Sequence, residues 1–80
     1  MDTANLYKSS DVVIVIKDLA KSKQLSIKDM LADIGLGINT LSHMNHGKAI
    51  AFDSLAKIAD YLDCSVDYLL GRTDKPEVNR

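Results

Sequence analysis

The chain has 80 residues, of which 46% are hydrophobic and 5% aromatic, and its formal net charge at pH 7 is −1. This length predicts one domain whose core consists of Leu, Ile, Val, Ala and Met, because Trp is absent and Phe occurs once. The single cysteine excludes an internal disulfide framework and suits a reducing cytoplasm. No signal peptide or membrane-spanning apolar run is visible, so we expect a cytoplasmic protein.

The first predicted helix follows a lead-in without periodicity. Residues 1–8 predict a flexible N-terminal arm, and Ser9 or Ser10 is expected to cap a helix that runs to about Ser22. Its apolar stripe consists of Val12, Val13, Ile16, Leu19 and Ala20. Ile14 and Val15 widen this stripe, which indicates either extra packing against the C-terminal helices or a self-association surface.

The segment from Ser26 to Gly47, SIKDMLADIGLGINTLSHMNHG, predicts two short helices joined by a tight turn. Ser26 is a good N-cap for the first helix, about 27–34, and Gly35 stands where a left-handed residue ends a helix. The second helix is predicted over about 38–45. One face of these helices is apolar, with Met30, Leu31 and Ile34 in the first and Leu41 and Met44 in the second. So short a joint requires a steep crossing, as in a helix-turn-helix.

Two more helices are predicted after this segment. The fourth, about 52–62, buries Leu55, Ile58, Ala59 and Leu62. Ser65 caps a short fifth helix, Val66 to Leu70, and Gly71 ends it. Residues 9–71 are therefore the domain, and 72–80 are a loose polar C-terminal tail. Five helices without strands predict an all-α orthogonal bundle.

Several of these residues resemble the helix-turn-helix of the Cro/phage-repressor (XRE-type) family of DNA-binding regulators. The shared features, aligned without a gap, are Ser26, Gly35, Leu36, Thr40-Leu41-Ser42, Met44 and Gly47. Residues 55–71 are similar to the last two helices of the family. The resemblance implies a bundle of the lambda-repressor-like DNA-binding type. It also implies a bacterial or phage transcriptional regulator, a repressor that occupies an operator in double-stranded DNA as a homodimer.

The resemblance also assigns residues to DNA contacts. The base-contacting residues are Ile38, Asn39, Ser42 and His43, and the phosphate-contacting residues are Lys28, Asn45, His46 and Lys48. Asn39 can make a bidentate pair with adenine, and His43 can donate to guanine. Ile38 can only pack against a thymine methyl group.

The charge distribution and two departures from the family pattern bear on this assignment. The segment from Gly35 to Ala51 contains Lys48 and two histidines but no acid, whereas acids outnumber bases from Phe52 onward. Ile27 replaces the usual Gln, which weakens one phosphate contact. Leu31 replaces a small residue, which predicts either a wider helix crossing or compensation by the small Gly37 and Ala32.

Other classes of function remain as alternatives. The chain could be a protein-interaction module, antitoxin-like or an adaptor, in which apolar surface positions such as Ile14 matter and Asn39 and His43 do not. His43 and His46 lack a third ligand, so we expect no metal and no cofactor. No nucleophile and base are recognisable within reach of each other, so we expect no enzyme and no small-molecule substrate. A dimer could pair through the first helix or through Tyr68, Leu69 and Leu70.

Overall fold

The computed structural model describes residues 7–77 and contains five α-helices and no strand in that part of the chain. The helices are α1 (Ser9–Ser22), α2 (Ile27–Asp33), α3 (Thr40–Asn45), α4 (Phe52–Leu62) and α5 (Val66–Leu69). The prediction of an all-α bundle is confirmed. Residues 1–6 of the predicted arm and residues 78–80 of the predicted tail lie outside the described residues. No helix between residues 7 and 77 is long and apolar enough to cross a membrane.

One hydrophobic core holds the five helices together. α1 packs against α3 and α5, α2 packs against α4, and α4 also packs against α5. The buried core side chains are Val12, Val13, Ile16, Ala20, Met30, Leu31, Leu41, Met44, Leu55, Ile58, Ala59, Leu62, Cys64 and Leu69. Leu19 and Ile34 are half-buried at the edge of this core. Because α3 packs mainly on α1, the first helix supports α3 from behind.

The β-branched run of α1 is helical, and most of its apolar side chains pack in the core. Val12, Val13 and Ile16 are buried, and Val15 packs partly against the core. Ile14 remains 58% exposed on the opposite side. Extra packing therefore accounts for Val15, whereas Ile14 has no packing partner within the monomer's core.

Two of the three predicted serine caps are confirmed. The Ser26 hydroxyl accepts a hydrogen bond from the Asp29 backbone N–H at 3.2 Å, and the Ser65 hydroxyl accepts one from Tyr68 at 3.0 Å. The predicted serine cap of α1 is wrong. Lys8 is the N-cap, with an extended backbone and no side-chain cap bond, and Ser9 is already helical.

All five helices end in the same way, with the two backbone hydrogen bonds of a Schellman motif. At the end of α2, the Leu36 N–H donates to the Leu31 carbonyl at 2.8 Å, and the Gly35 N–H donates to Ala32 at 3.2 Å. The left-handed residues of the five motifs are Gln24, Gly35, Gly47, Asp63 and Gly71. Short helices thus satisfy carbonyls that would otherwise lack partners at their C-terminal ends.

Substitution of the two glycines of the turn should have opposite consequences. Gly35 has φ +80°, a left-handed conformation that costs a residue with a Cβ atom about 1–2 kcal/mol, so Gly35→Ala should lower the free energy of unfolding by about that amount. Gly37 lies outside this region of φ, and a Cβ there would meet nothing within 4 Å. Gly37→Ala should therefore leave stability unchanged or raise it slightly. Urea titrations of both variants check the contrast, and equal destabilisation would contradict it.

Leu31 is accommodated by the core rather than by small neighbours. Its side chain is 2% exposed, whereas Ala32 is exposed and the position of a Gly37 Cβ is open. The predicted compensation by Gly37 and Ala32 is therefore wrong.

The described part of the C-terminal tail folds back onto the domain. The Pro76 carbonyl accepts a hydrogen bond from the Ser65 N–H at 2.9 Å, beside the start of α5. Arg72 lies 3.6 Å from a carboxylate oxygen of Asp67, but both side chains are exposed, so this ion pair contributes little. The hydrogen bond to Ser65 thus attaches the tail to the domain at Pro76.

Candidate nucleic-acid interface

The predicted recognition helix begins two residues later than its sequence indicates. α3 starts at Thr40, and Ile38 and Asn39 belong to the turn before it, so the predicted start at residue 38 is wrong. The backbone N–H and the hydroxyl of Thr40 both donate to the Gly37 carbonyl, at 3.0 and 2.6 Å. This local bonding closes a tight turn where an α-helical bond would otherwise form. The first α-helical bond runs from the His43 N–H to the Asn39 carbonyl at 2.9 Å.

The four predicted base-contacting residues all lie on the exposed side of this segment. Ile38 is 66% exposed, and Asn39, Ser42 and His43 are exposed as well. The other side of α3 carries the buried Leu41 and Met44. Asn39 is the N-cap residue of α3, but its carboxamide makes no cap hydrogen bond. The carboxamide therefore does not serve the helix and is accessible to a ligand.

The four predicted phosphate-contacting residues are exposed too, but they do not form one group. Asn45 and His46 line a cleft beside the start of α1, whereas Lys48 lines a second cleft together with His43. Lys28, on α2, lines neither of these clefts. Lys48 and the Asn45–His46 pair thus line different clefts, and α3 contributes to the lining of both.

The His46 ring is engaged by its own helix. Its Nδ1 lies 2.8 Å from the Ser42 carbonyl oxygen. Because a carbonyl oxygen can only accept, we assign the proton to Nδ1, and Nε2 of the neutral ring is then an acceptor. His46 can therefore donate to a phosphate through Nε2 only in its cationic form.

Lys8 is a candidate phosphate-contacting residue that the sequence did not reveal. It lies at the N-cap of α1 and lines the same cleft as Asn45 and His46. The sequence placed Lys8 in a flexible arm, more than thirty positions from α3. Only the packing of α1 against α3 brings it there, so no local pattern could have identified it.

A hydrogen bond between side chains connects α2 to α4 behind the turn. The Tyr61 hydroxyl donates to a carboxylate oxygen of Asp33 at 3.1 Å. This hydrogen bond, followed by desolvation and the negative charges of Asp33 and Asp29, raises the pKa of Tyr61. Tyr61 is half-buried and packs against the core, so it is a packing residue with a bonded hydroxyl rather than an exposed stacking surface.

Cys64 and the histidines do not form a metal centre in the part of the chain that the structure describes. Cys64 is 2% exposed in the core, and burial raises the pKa of its thiol. Between residues 7 and 77 no three His, Cys, Asp or Glu side chains are grouped closely enough to hold an ion.

A short helix with an exposed polar face, supported from behind and preceded by a tight glycine turn, defines a helix-turn-helix DNA-binding domain. Comparison with protein families agrees, since the Cro/C1-type HTH DNA-binding domain matches residues 15–75. The chain belongs to this family and is a DNA-binding regulator. The searches of curated proteins and of solved structures found no match.

Proposed function

We propose that the protein is a transcriptional repressor that binds an operator of defined sequence with the Gly37–Asn39 turn and α3 in the major groove. Ile38, Asn39, Ser42 and His43 then face base edges, as the family resemblance assigns them. The observation that carries this proposal is their shared exposure on a segment whose other side is buried in the core. A major groove admits one α-helix in this orientation, with its N-terminal residues towards the bases.

The phosphate contacts of this proposal come from both sides of α3. Lys48 and Lys28 are exposed cations, Asn45 is an exposed amide, and Lys8 joins His46 beside the start of α1. Such contacts fix the position of the domain on the duplex without reading sequence. Because each phosphate contact releases condensed counterions, and two copies of the domain would make each contact twice, the affinity should fall steeply with salt.

A homodimer is part of the same proposal, because one helix reads only a few base pairs and a two-fold operator needs two copies. Of the two surfaces considered, the C-terminal one is largely used by the core. Leu69 is fully buried, and Tyr68 and Leu70 are half-buried against the core. We also propose that the protein acts in the cytoplasm and catalyses no reaction.

Fluorescence anisotropy with a duplex from upstream of the protein's own gene, beside a scrambled duplex, tests this function. We expect tight binding to the first duplex alone and a steep loss of affinity across a salt series. Equal weak binding to both duplexes, or none at low salt, would overturn the proposal.

A protein-interaction module, antitoxin-like or an adaptor, is the second candidate, and one observation favours it. Ile14 is 58% exposed on the side of α1 that faces away from the core, as a contact with another chain would require. If this candidate holds, Ile14→Asp should abolish capture of the partner chain, while Asn39→Ala should have no effect.

A further inference from the structure

Phe52 is the most exposed large hydrophobic side chain between residues 7 and 77, with 87% of its surface accessible. One exposed hydrophobic residue would need no explanation. Phe52, however, continues an uncharged apolar segment, residues 49–52, in which Ala49 and Ala51 are exposed as well. The base and phosphate contacts proposed above do not use this segment.

The apolar segment is continuous with the surface around α3. Residues 49–51 and Ser54 form one side of a cleft that Thr40, His43 and Lys48 also line. Phe52 does not itself line the cleft, but it directly follows the lining residue Ala51 and lies at the rim, in the first turn of α4. An apolar surface thus directly adjoins the exposed polar groups of α3.

The charges of this cleft favour a polyanion as its occupant. Lys48 is its charged residue, and no carboxylate lines it. The nearest acid in the sequence, Asp53, accepts a hydrogen bond from the Ser54 N–H at 2.9 Å and so is engaged by the first turn of α4. The cleft therefore combines one cation with apolar walls, which matches a phosphate next to a deoxyribose ring.

We propose that this cleft holds the sugar–phosphate backbone of one DNA strand, with the Phe52 ring packed against a deoxyribose beside the phosphate that Lys48 neutralises. The proposal rests on the proposed function, because it needs the duplex to lie along α3. It assigns Phe52 an apolar contact that is independent of base sequence. Such a contact removes ring surface from water without releasing a counterion.

The salt dependence distinguishes this contact from a charged one. Phe52→Ala should weaken binding to the operator and to a scrambled duplex alike, by about 3- to 30-fold for partial burial of the ring. The slope of log affinity against log salt should stay unchanged. Lys48→Ala should weaken binding to both duplexes and reduce that slope by about one.

A tryptophan at position 52 supplies a direct readout, since the chain contains no other Trp. The fluorescence of Phe52→Trp should change on titration with duplex DNA and stay constant on dilution without DNA. Asp60→Trp, exposed near the C-terminal end of α4, is the matched control and should respond to neither.

Three outcomes separate the possible failures. A Phe52→Trp signal that follows protein concentration without DNA would assign the residue to a second copy and overturn the inference. Wild-type affinity in Phe52→Ala, with Lys48→Ala impaired, would overturn it while leaving the proposed function intact. Absence of DNA binding by the wild-type protein would overturn both.

Discussion

Asn39→Ala should reduce affinity for the operator by roughly 5- to 150-fold, the equivalent of about 1–3 kcal/mol for a bidentate contact with a base. Affinity for a scrambled duplex should not change, because that binding rests on phosphate contacts. The loss should be confined to operators that carry adenine at one position, and substitution of that base pair should reproduce it in the wild-type protein. Anisotropy titrations with single-base variants of the operator measure this.

Asn39→Ala should reduce operator affinity without changing the stability of the domain. The residue is the N-cap of α3, and replacing a capping Asn by Ala normally costs about 1 kcal/mol. Here the carboxamide makes no cap hydrogen bond, and the turn is closed instead by Thr40. The thermal midpoint of Asn39→Ala should therefore equal that of the wild type. A lower midpoint together with uniform loss of binding would contradict a role in base recognition.

Two control variants distinguish base recognition from the other contacts of the domain. Lys48→Ala should lower the affinity for all duplexes together, since a phosphate contact carries no sequence information. Asp60→Ala, on the exposed side of α4, should leave both affinities unchanged. If instead Ile14→Ala alone affects the biological activity, the protein-interaction function gains support.

Most of the fold could be predicted because the local signals agree with one another. Apolar spacing, serine caps at positions 26 and 65, and glycines at positions 35 and 71 all indicate the same helix boundaries. Even the β-branched run in α1 is helical, and the helical spacing of apolar and polar residues that continues to Lys21 predicted this. Ser26 and Gly35 are also among the residues that carry the resemblance to the Cro/phage-repressor family, to which the chain belongs.

What sequence could not supply depends on contacts between distant segments or on hydrogen bonds that no pattern encodes. Because Thr40 donates hydrogen bonds to the Gly37 carbonyl, α3 begins two residues later than predicted, although residues 38 and 39 fit its helical spacing. Lys8 joins the candidate interface only because α1 packs on α3. Phe52 continues an apolar segment, and an apolar residue at the start of a helix is ordinarily expected to be buried. The left-handed Gln24 ends α1 with no glycine to indicate it.

Met44→Ala should have the largest effect on stability among the residues of the interface. Met44 is 2% exposed on the buried side of α3, and truncation of a buried Met typically costs about 2–5 kcal/mol. A domain of this size is expected to have roughly 4–12 kcal/mol of stability in total, at about 0.05–0.15 kcal/mol per residue. A large part of that margin should therefore be lost, as a urea titration would show.

The same substitution should abolish DNA binding before the domain unfolds. α3 has six residues, far fewer than an isolated helix needs in water, so it persists only because Leu41 and Met44 bury their side chains against the core. With Met44 truncated, amide hydrogen exchange should accelerate in α3 more than in α4, and operator affinity should fall while the other helices remain folded. Met44→Leu conserves volume and should retain binding with a loss of stability below about 1.5 kcal/mol. If Met44→Ala bound the operator normally, α3 would have to be held by something other than its buried face, and the packing of α3 on α1 would not be what positions Asn39 and His43.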